Sequence, residues 1–499
     1  MEIIHKKLIL LIQTFSAKEI KLFRQFISSP FFTNGRNYIP FLEELLKMKD
    51  GTGKHSNKNK ANESDIIKIL SGRTLSNRYS ELYKLGEEFL IYKSLKNNKA
   101  EKNKILLKRL LEEKLYSSYN TKHIETLKHF RKEKFTLHNS EDIAYISKLN
   151  TIFLHDKNRT TELYNEYYKN SKLILCISIL SVLELGLEFS HQELNNIKYE
   201  PNFVHDFLKK LEINEIIKDF SKSDSVIEKV TAMYFKLYKA FENEVNEKYF
   251  FESHKIFQEL FTELNDSYKV TTYSHMINYC IRKQNKGLNK YKHVLFKLYK
   301  EKLSQGLTED IENDLYLFNQ FRDYVIIGIS IKEFGWVENF IAGYSKLLPD
   351  EIRESEIKLS FANLNFARRL FAKSLSYVES IKTSHYLSYM DSSILKLCNY
   401  YELKNFEEAI LEHDRLTHYL RNHYEIPEIY KLHYGNFAKF FQGILKMNVN
   451  PGKVNSGFLE KEIINCHKLS KKDWLLEKLR QLGLIDLQYK RLRSKNKRL

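Results

Sequence analysis

The sequence predicts an all-α chain: an N-terminal helical bundle followed by a right-handed α-solenoid of helical hairpins. Three observations carry that prediction. An aromatic residue opens a short cassette every 35 residues, at Trp336-Val-Glu-Asn-Phe340, Phe371-Ala-Lys-Ser-Leu375, Phe406-Glu-Glu-Ala-Ile410 and Phe441-Gln-Gly-Ile-Leu445. A fixed period of that size marks stacked hairpins, none of which buries its apolar face without its neighbours. Only six prolines and sixteen glycines occur in 499 residues, and no proline falls between Pro40 and Pro201, which favours long helices. Where helix and strand compete, spacing decides: Ile227, Val230, Tyr234, Leu237, Phe241 and Val245 fall at steps of three and four, one stripe of a helix.

In chain order, the first punctuated helix follows Ser16, where Ser16-Ala-Lys-Glu19 is a capping box, Phe15 and Ile20 form a hydrophobic staple, and Ser28-Ser29-Pro30 is the stop. A second helix is expected over residues 38–48 and an exposed loop over 49–64. Ser64 caps a short helix over 65–70, Ser71-Gly72-Arg73-Thr74 reads as a turn, and a long helix spans 75–96. That outline is also a helix-turn-helix, which makes Arg73, Arg78 and Lys84 candidate nucleic-acid contacts. Against it, no hairpin wing follows, and Leu82, Leu85, Phe89 and Tyr92 read as core. Residues 1–99 are thus assigned to the N-terminal bundle.

The charged run from Glu101 to Arg109 marks a joint. Residues 100–200 read as irregular helical hairpins, 201–489 as the solenoid, with looser cassettes at Phe250 and Tyr291, and 490–499 as a basic tail. A helix over 471–482, carrying Trp474 and stopped by Gly483, caps the last repeat. The most apolar segment, 173–183, has eleven residues without a charge, short of the ~20 that cross a bilayer. It is expected to be a buried helix and not a membrane span, and no export signal is read at the N-terminus.

Charge is unevenly placed. Residues 1–150 carry 29 basic against 17 acidic side chains and residues 490–499 carry six basic and none acidic, leaving 46 against 46 elsewhere. Basic ends on a neutral body suit a polyanion or a solvated surface. Within the tail, Arg491, Arg493, Lys495, Lys497 and Arg498 are the candidate nucleic-acid contacts.

The four cysteines, Cys176, Cys280, Cys398 and Cys466, are widely separated, so neither a zinc site nor a disulfide framework is indicated and a reducing cytoplasm is expected. No phosphate-cradling loop, G-x-S-x-G or HExxH occurs. Acid–base pairs such as His413 with Asp414 lie too close in sequence to share a helix face and read as solvated. No cofactor, metal or catalytic residue is assigned. One polar passage interrupts a repeat helix, Asn278-Tyr-Cys-Ile-Arg-Lys-Gln-Asn-Lys-Gly287. There Asn278, Arg282 and Lys283 are candidate partner-binding residues, although cations at a helix C-terminus also answer the dipole.

The segment Asn405-Phe406-Glu-Glu-Ala409-Ile410 resembles the start of the second helix of a tetratricopeptide repeat: a turn residue, an aromatic, two acids, a small residue and an aliphatic. Asn339, Ser374 and Ile444 stand where that pattern has alanine, and the first-helix consensus is mostly absent. The chain also resembles a family of helical-repeat proteins of Bacteroidota, through Ser29-Pro-Phe-Phe32, Ser80-Glu-Leu-Tyr-Lys-Leu85, the Asn278 passage and Tyr401-Glu-Leu403. These resemblances imply an architecture and no activity. The expected function is a non-catalytic cytoplasmic scaffold that binds a protein partner through its repeats. The alternative is a nucleic-acid- or ribosome-associated protein that uses its basic ends.

Overall fold

The structure, a computed structural model, describes residues 2–51, 72–194, 203–210, 213–243, 245–307, 314–449, 456–466 and 468–483. Every regular element among them is helical, as the proline-poor sequence predicts. The elements run α1 (Glu2–Gln13), α2 (Ala17–Ile27), α3 (Pro30–Thr33), α4 (Ile39–Gly51), α5 (Gly72–Asn97), α6 (Lys99–Glu112), α7 (Tyr116–Phe130), α8 (Leu137–Asp156), α9 (Thr160–Leu194), α10 (Phe203–Lys210), α11 (Asn214–Phe220) and α12 (Val226–Glu242). They continue as α13 (Lys248–Leu260), α14 (Asp266–Asn285), α15 (Lys290–Ser304), α16 (Asp314–Ser330), α17 (Phe334–Tyr344), α18 (Asp350–Ala367), α19 (Phe371–Glu379), α20 (Tyr386–Glu402), α21 (Phe406–Asn422), α22 (Glu428–Val449) and α23 (Ser456–Asn465). A last helical stretch covers residues 472–483.

The chain divides into two compact units, one of residues 1–184, 207–235 and 256–265, the other of 185–206, 236–255 and 266–499. The expected boundaries at 99/100 and 200/201 are therefore not where the units part. A physical reason is visible in the first unit: the Phe135 amide donates to the Glu263 carbonyl at 2.7 Å and the Asn265 amide to the Phe135 carbonyl at 3.2 Å. These bonds tie a late segment to an early one.

In the first unit α1 and α2 pack on α5 around Leu8, Ile12, Phe15, Phe23, Phe26 and Phe89. The α2 cap forms as expected: the Ser16 hydroxyl accepts from the Glu19 amide, and the Glu19 carboxylate answers the Ser16 amide at 2.7 Å. Hydrogen bonds from Lys93 and from Ser16 hold the Glu19 carboxyl down at about 2. Helix α1 covers a stretch that the sequence shows only as a short apolar run.

Helix α5 begins at Gly72, so Gly72, Arg73 and Thr74 form its first turn and not the connection of a helix-turn-helix. Residues 52–64 of the expected loop and the short helix at 65–70 lie outside the described residues. A second cluster joins α6, α7 and α8 through Leu107, Tyr119, Phe130, Ile146 and Phe153. On α12 the predicted stripe is buried from Ile227 to Phe241, but Val245 is 92% exposed. The helix has ended by then, and the Asn243 side chain accepts from the amides of Val245 and Asn246 at 3.2 and 3.1 Å, turning the chain outward.

In the second unit, from Asp266 onward, each helix packs on the next, and α16, α18, α20 and α22 also pack on one another in succession. The cassette aromatics Phe250, Tyr291, Trp336, Phe371 and Phe406 open α13, α15, α17, α19 and α21. A recurrent turn sets the junctions α14–α15, α16–α17, α18–α19 and α20–α21. A residue of positive φ, Gly287, Lys332, Arg369 or Lys404, precedes an amide that reaches back five residues. Glu333 donates to Gly328, Leu370 to Asn365 and Asn405 to Tyr400, at 2.8–3.0 Å. This is the Schellman closure of a helix C-terminus, and it delivers the aromatic to its groove.

The fourth regular cassette breaks the pattern. Phe441 lies inside α22, clustered with Phe437 and Trp474 at centroid distances of 5.6 and 6.2 Å, and the next described helix starts at Ser456. The echo at 441 is thus a core position of a first helix, because α22 runs for 22 residues. The Trp474 stretch covers this end as expected, its indole donating to Glu402 at 2.7 Å. Gly483, the expected stop, is the last described residue and is itself helical.

One of the substitutions for alanine, Ser374, has a visible reason. Buried Ser374 donates to the Ala362 carbonyl at 2.8 Å and accepts from Asn399 at 2.9 Å, which satisfies polar groups inside the hairpin contact. Gly328 lets α17 approach α16: a Cβ there would stand 2.6 Å from Val337 Cγ2.

Candidate functional site

Three successive first helices of the second unit meet at one guanidinium, and a fourth joins through a carboxylate that it holds. Arg322 on α16 donates through Nε and Nη2 to both oxygens of Glu356 on α18, at 2.6 and 2.7 Å, and through Nη1 to Asp391 on α20 at 2.6 Å. The fork-on-carboxylate geometry uses the planar guanidinium fully. Ser388 on α20 donates to Glu356 at 2.7 Å, and Tyr434 on α22 donates to Asp391 at 2.7 Å. Glu356 and Ser388 are 1% and 0% exposed. The two carboxylates hold the Arg322 charge well above its ordinary pKa, and burial beside Asp391 pushes the Tyr434 phenol far up. One cation against two anions leaves this ladder net negative.

Above the ladder lies a cleft of about 280 Å³, whose lining includes Val325, Ile326, Leu359, Asn363, Ile394 and Lys471. Ile326 on this wall is 60% exposed. The Lys471 ammonium donates to Asn363 at 3.1 Å and sits 5.5 Å from the Phe366 ring. Asp323, one turn before Ile326, is open to solvent but ringed by enough protein that desolvation pushes its carboxyl up to about 6. It makes no ion pair among the described residues.

Ser388 stands between His385 and Glu356, the His385 Nδ1 lying 3.2 Å from the Ser388 hydroxyl and Glu356 2.7 Å from it. They do not make a nucleophile and its base open to a substrate, because Ser388 is fully buried and its proton is directed to Glu356. Burial and the Arg322 charge both lower the His385 pKa. Burial pushes the Cys176 thiol up to about 11 and the Cys398 thiol to about 12, so neither supplies a thiolate at neutral pH. Among the described residues no three His, Cys, Asp or Glu side chains gather as a metal site would need.

The residues singled out in the sequence are not brought together here. Asn278 and Arg282 are half-buried, one turn apart on α14. Lys283 is 3% exposed with its ammonium 5.3 Å from the Tyr279 ring; the four-residue spacing puts it on the core face, so it does not line a surface for a partner. Arg78 is paired with Glu81 at 3.1 Å, a carboxylate it shares with Arg36 at 2.8 Å, and lies over the Tyr38 ring. Lys84 is exposed on α5, and Arg73 lies in the first turn of that helix. Arg491, Arg493, Lys495, Lys497 and Arg498 fall outside the described residues. His413 and Asp414 are in contact at 3.2 Å, and His413 is buried against the Ala438 carbonyl at 3.2 Å, not solvated.

The ladder went unread in the sequence although a signal was there. Arg322, Glu356 and Asp391 are spaced by 34 and 35 residues, the period of the cassettes. A scan against protein-family models, a search of curated proteins and a search of solved structures each found no match to the chain.

Proposed function

We propose that the protein is a non-catalytic interaction scaffold: a right-handed α-solenoid of TPR-like hairpins that binds a protein partner through the inner face of its first helices. The single observation that carries this reading is the cleft over the Arg322 ladder. Its walls come from helices α16, α18 and α20 and the Ser470–Lys471 segment, so one partner segment would touch several repeats at once, as such surfaces do. Exposed Ile326 offers an apolar anchor and Lys471 a fixed cation at the rim. The ladder beneath holds the spacing of the helices and leaves no open nucleophile, which fits binding without chemistry. A cytoplasmic place of action goes with the four free cysteines.

The test is purification of the tagged protein from its own cells after nuclease treatment, beside the variants Ile326→Glu and Lys471→Glu. A protein that copurifies with the parent and is lost from both variants is the expected result. Undiminished retention by both contradicts the cleft as the binding face.

A further inference from the structure

Helix α9 presents an apolar face with no partner inside the first unit. At 100° per residue, Tyr164, Tyr167, Tyr168, Ser171, Ile174, Leu175 and Ser178 occupy one arc of about 120°, and no charged side chain enters it between Thr160 and Val182. Tyr164 and Tyr168 are 68% and 71% exposed, Ile174 and Leu175 49% and 46%, whereas Cys176, Leu180 and Leu183 on the other side are 0%. The expectation of a buried helix over 173–183 therefore holds for one face only. An uncharged stripe of this length on a water-facing helix asks for a cover.

The arrangement of side chains says which cover fits. Ser171 is the midpoint of three pairs: Tyr164 with Ser178, Tyr167 with Leu175, and Tyr168 with Ile174. Turning a second copy end over end about Ser171 sets each tyrosine ring opposite a small or aliphatic side chain, with the small serine at the crossing, where two helices come closest. That is the self-complementarity an isologous contact needs. The exposed parts of these side chains come to roughly 600 Å² per copy, which brings a pair to the lower end of the size of specific interfaces.

A lipid surface fits less well. By length and composition alone Thr160–Ser190 could cross a membrane, but 39% of its most apolar window is buried by the protein's own packing. Hydroxyls recur along the whole arc instead of gathering at its ends. Glu162 and Glu166 also offset Lys169 and Lys172 beside it, leaving no cationic border for anionic headgroups.

We infer that two copies of this chain associate through α9 as an antiparallel pair with its two-fold axis at Ser171.

Sedimentation equilibrium of the full chain tests this. The parent is expected at twice 59.7 kDa in the micromolar range. Ser171→Arg, which sets two cations against each other at the axis, and Leu175→Glu should each weaken association by about tenfold or more with an unchanged far-UV spectrum. In a Cys466→Ser background, Ser171→Cys should crosslink to itself under mild oxidation. Ser178→Cys should not, because its two copies would stand ~21 Å apart along the antiparallel pair. A monomer at every concentration overturns the inference. So does a dimer insensitive to both surface changes, equal crosslinking at 171 and 178, or a monomer that binds lipid vesicles through this face.

Discussion

Arg322 and Asp391 stand 69 residues apart and meet at 2.6 Å, Nη1 to Oδ2, with Glu356 gripped by the same guanidinium from the helix between them. Three successive first helices thus share one cation, and each contributes at the same point of the repeat. Because Glu356 is 1% exposed, removing its counter-ion is expensive. Arg322→Met should destabilise the second unit by about 3–5 kcal/mol, and adding Glu356→Leu should recover a large part of that by removing the stranded charge. Urea unfolding of the three proteins checks it. An Arg322→Met midpoint equal to that of the parent would mean the ladder holds nothing together.

The junction turns make an opposite prediction. Lys332, Arg369 and Lys404 adopt φ of 66°, 63° and 62°, a region that costs a side chain with a Cβ on the order of 1 kcal/mol. At the same point of an earlier turn the chain has Gly287, with φ 86°. Arg369→Gly and Lys404→Gly should each stabilise by about 0.5–1 kcal/mol. Thermal unfolding reads this directly, and a fall in midpoint for both would show that the side chains contribute more than the backbone strain costs.

Much of this organisation was legible in the sequence. The Ser16 capping box, the Ser28-Ser29-Pro30 stop and the aromatic openings at 336, 371 and 406 follow from local chemistry, which acts within a few residues and leaves a local signature. Phe441 misled because an aromatic that begins a second helix and one that fills a first helix look alike; only the length of α22 separates them. Lys283 misled for the reverse reason: its charge suggests a surface, while its place one turn after Tyr279 commits it to the core. The Arg322 ladder joins residues 34 and 35 apart that differ in type, so no repeated letter marks it, and its meaning appears only when equivalent repeat positions are laid side by side.

Asp323 gives the pH dependence. Its carboxyl titrates near 6 in the fold against an ordinary 3.8, so the folded chain holds this proton more tightly than the unfolded chain does. Ionisation then works against the fold: the penalty is absent below about pH 4, grows between about pH 4 and 6, and is complete above. Asp323→Asn should accordingly raise the thermal midpoint at neutral pH and leave it unchanged near pH 4. Solvent reaches the residue, so the gain should be modest. A gain of equal size at both pH values would show that the cause is not the carboxylate charge.

The most direct test of the account is site-specific photo-crosslinking in cells, with a photoreactive amino acid placed at Ile326 in the cleft or at Leu411, which is half-exposed on the second helix α21. A scaffold that binds through the first helices predicts a discrete protein adduct from position 326 and none from 411. An adduct from 411 alone, or none from 326 while the chain is folded and expressed, would contradict the cleft as the place where this protein meets its partner.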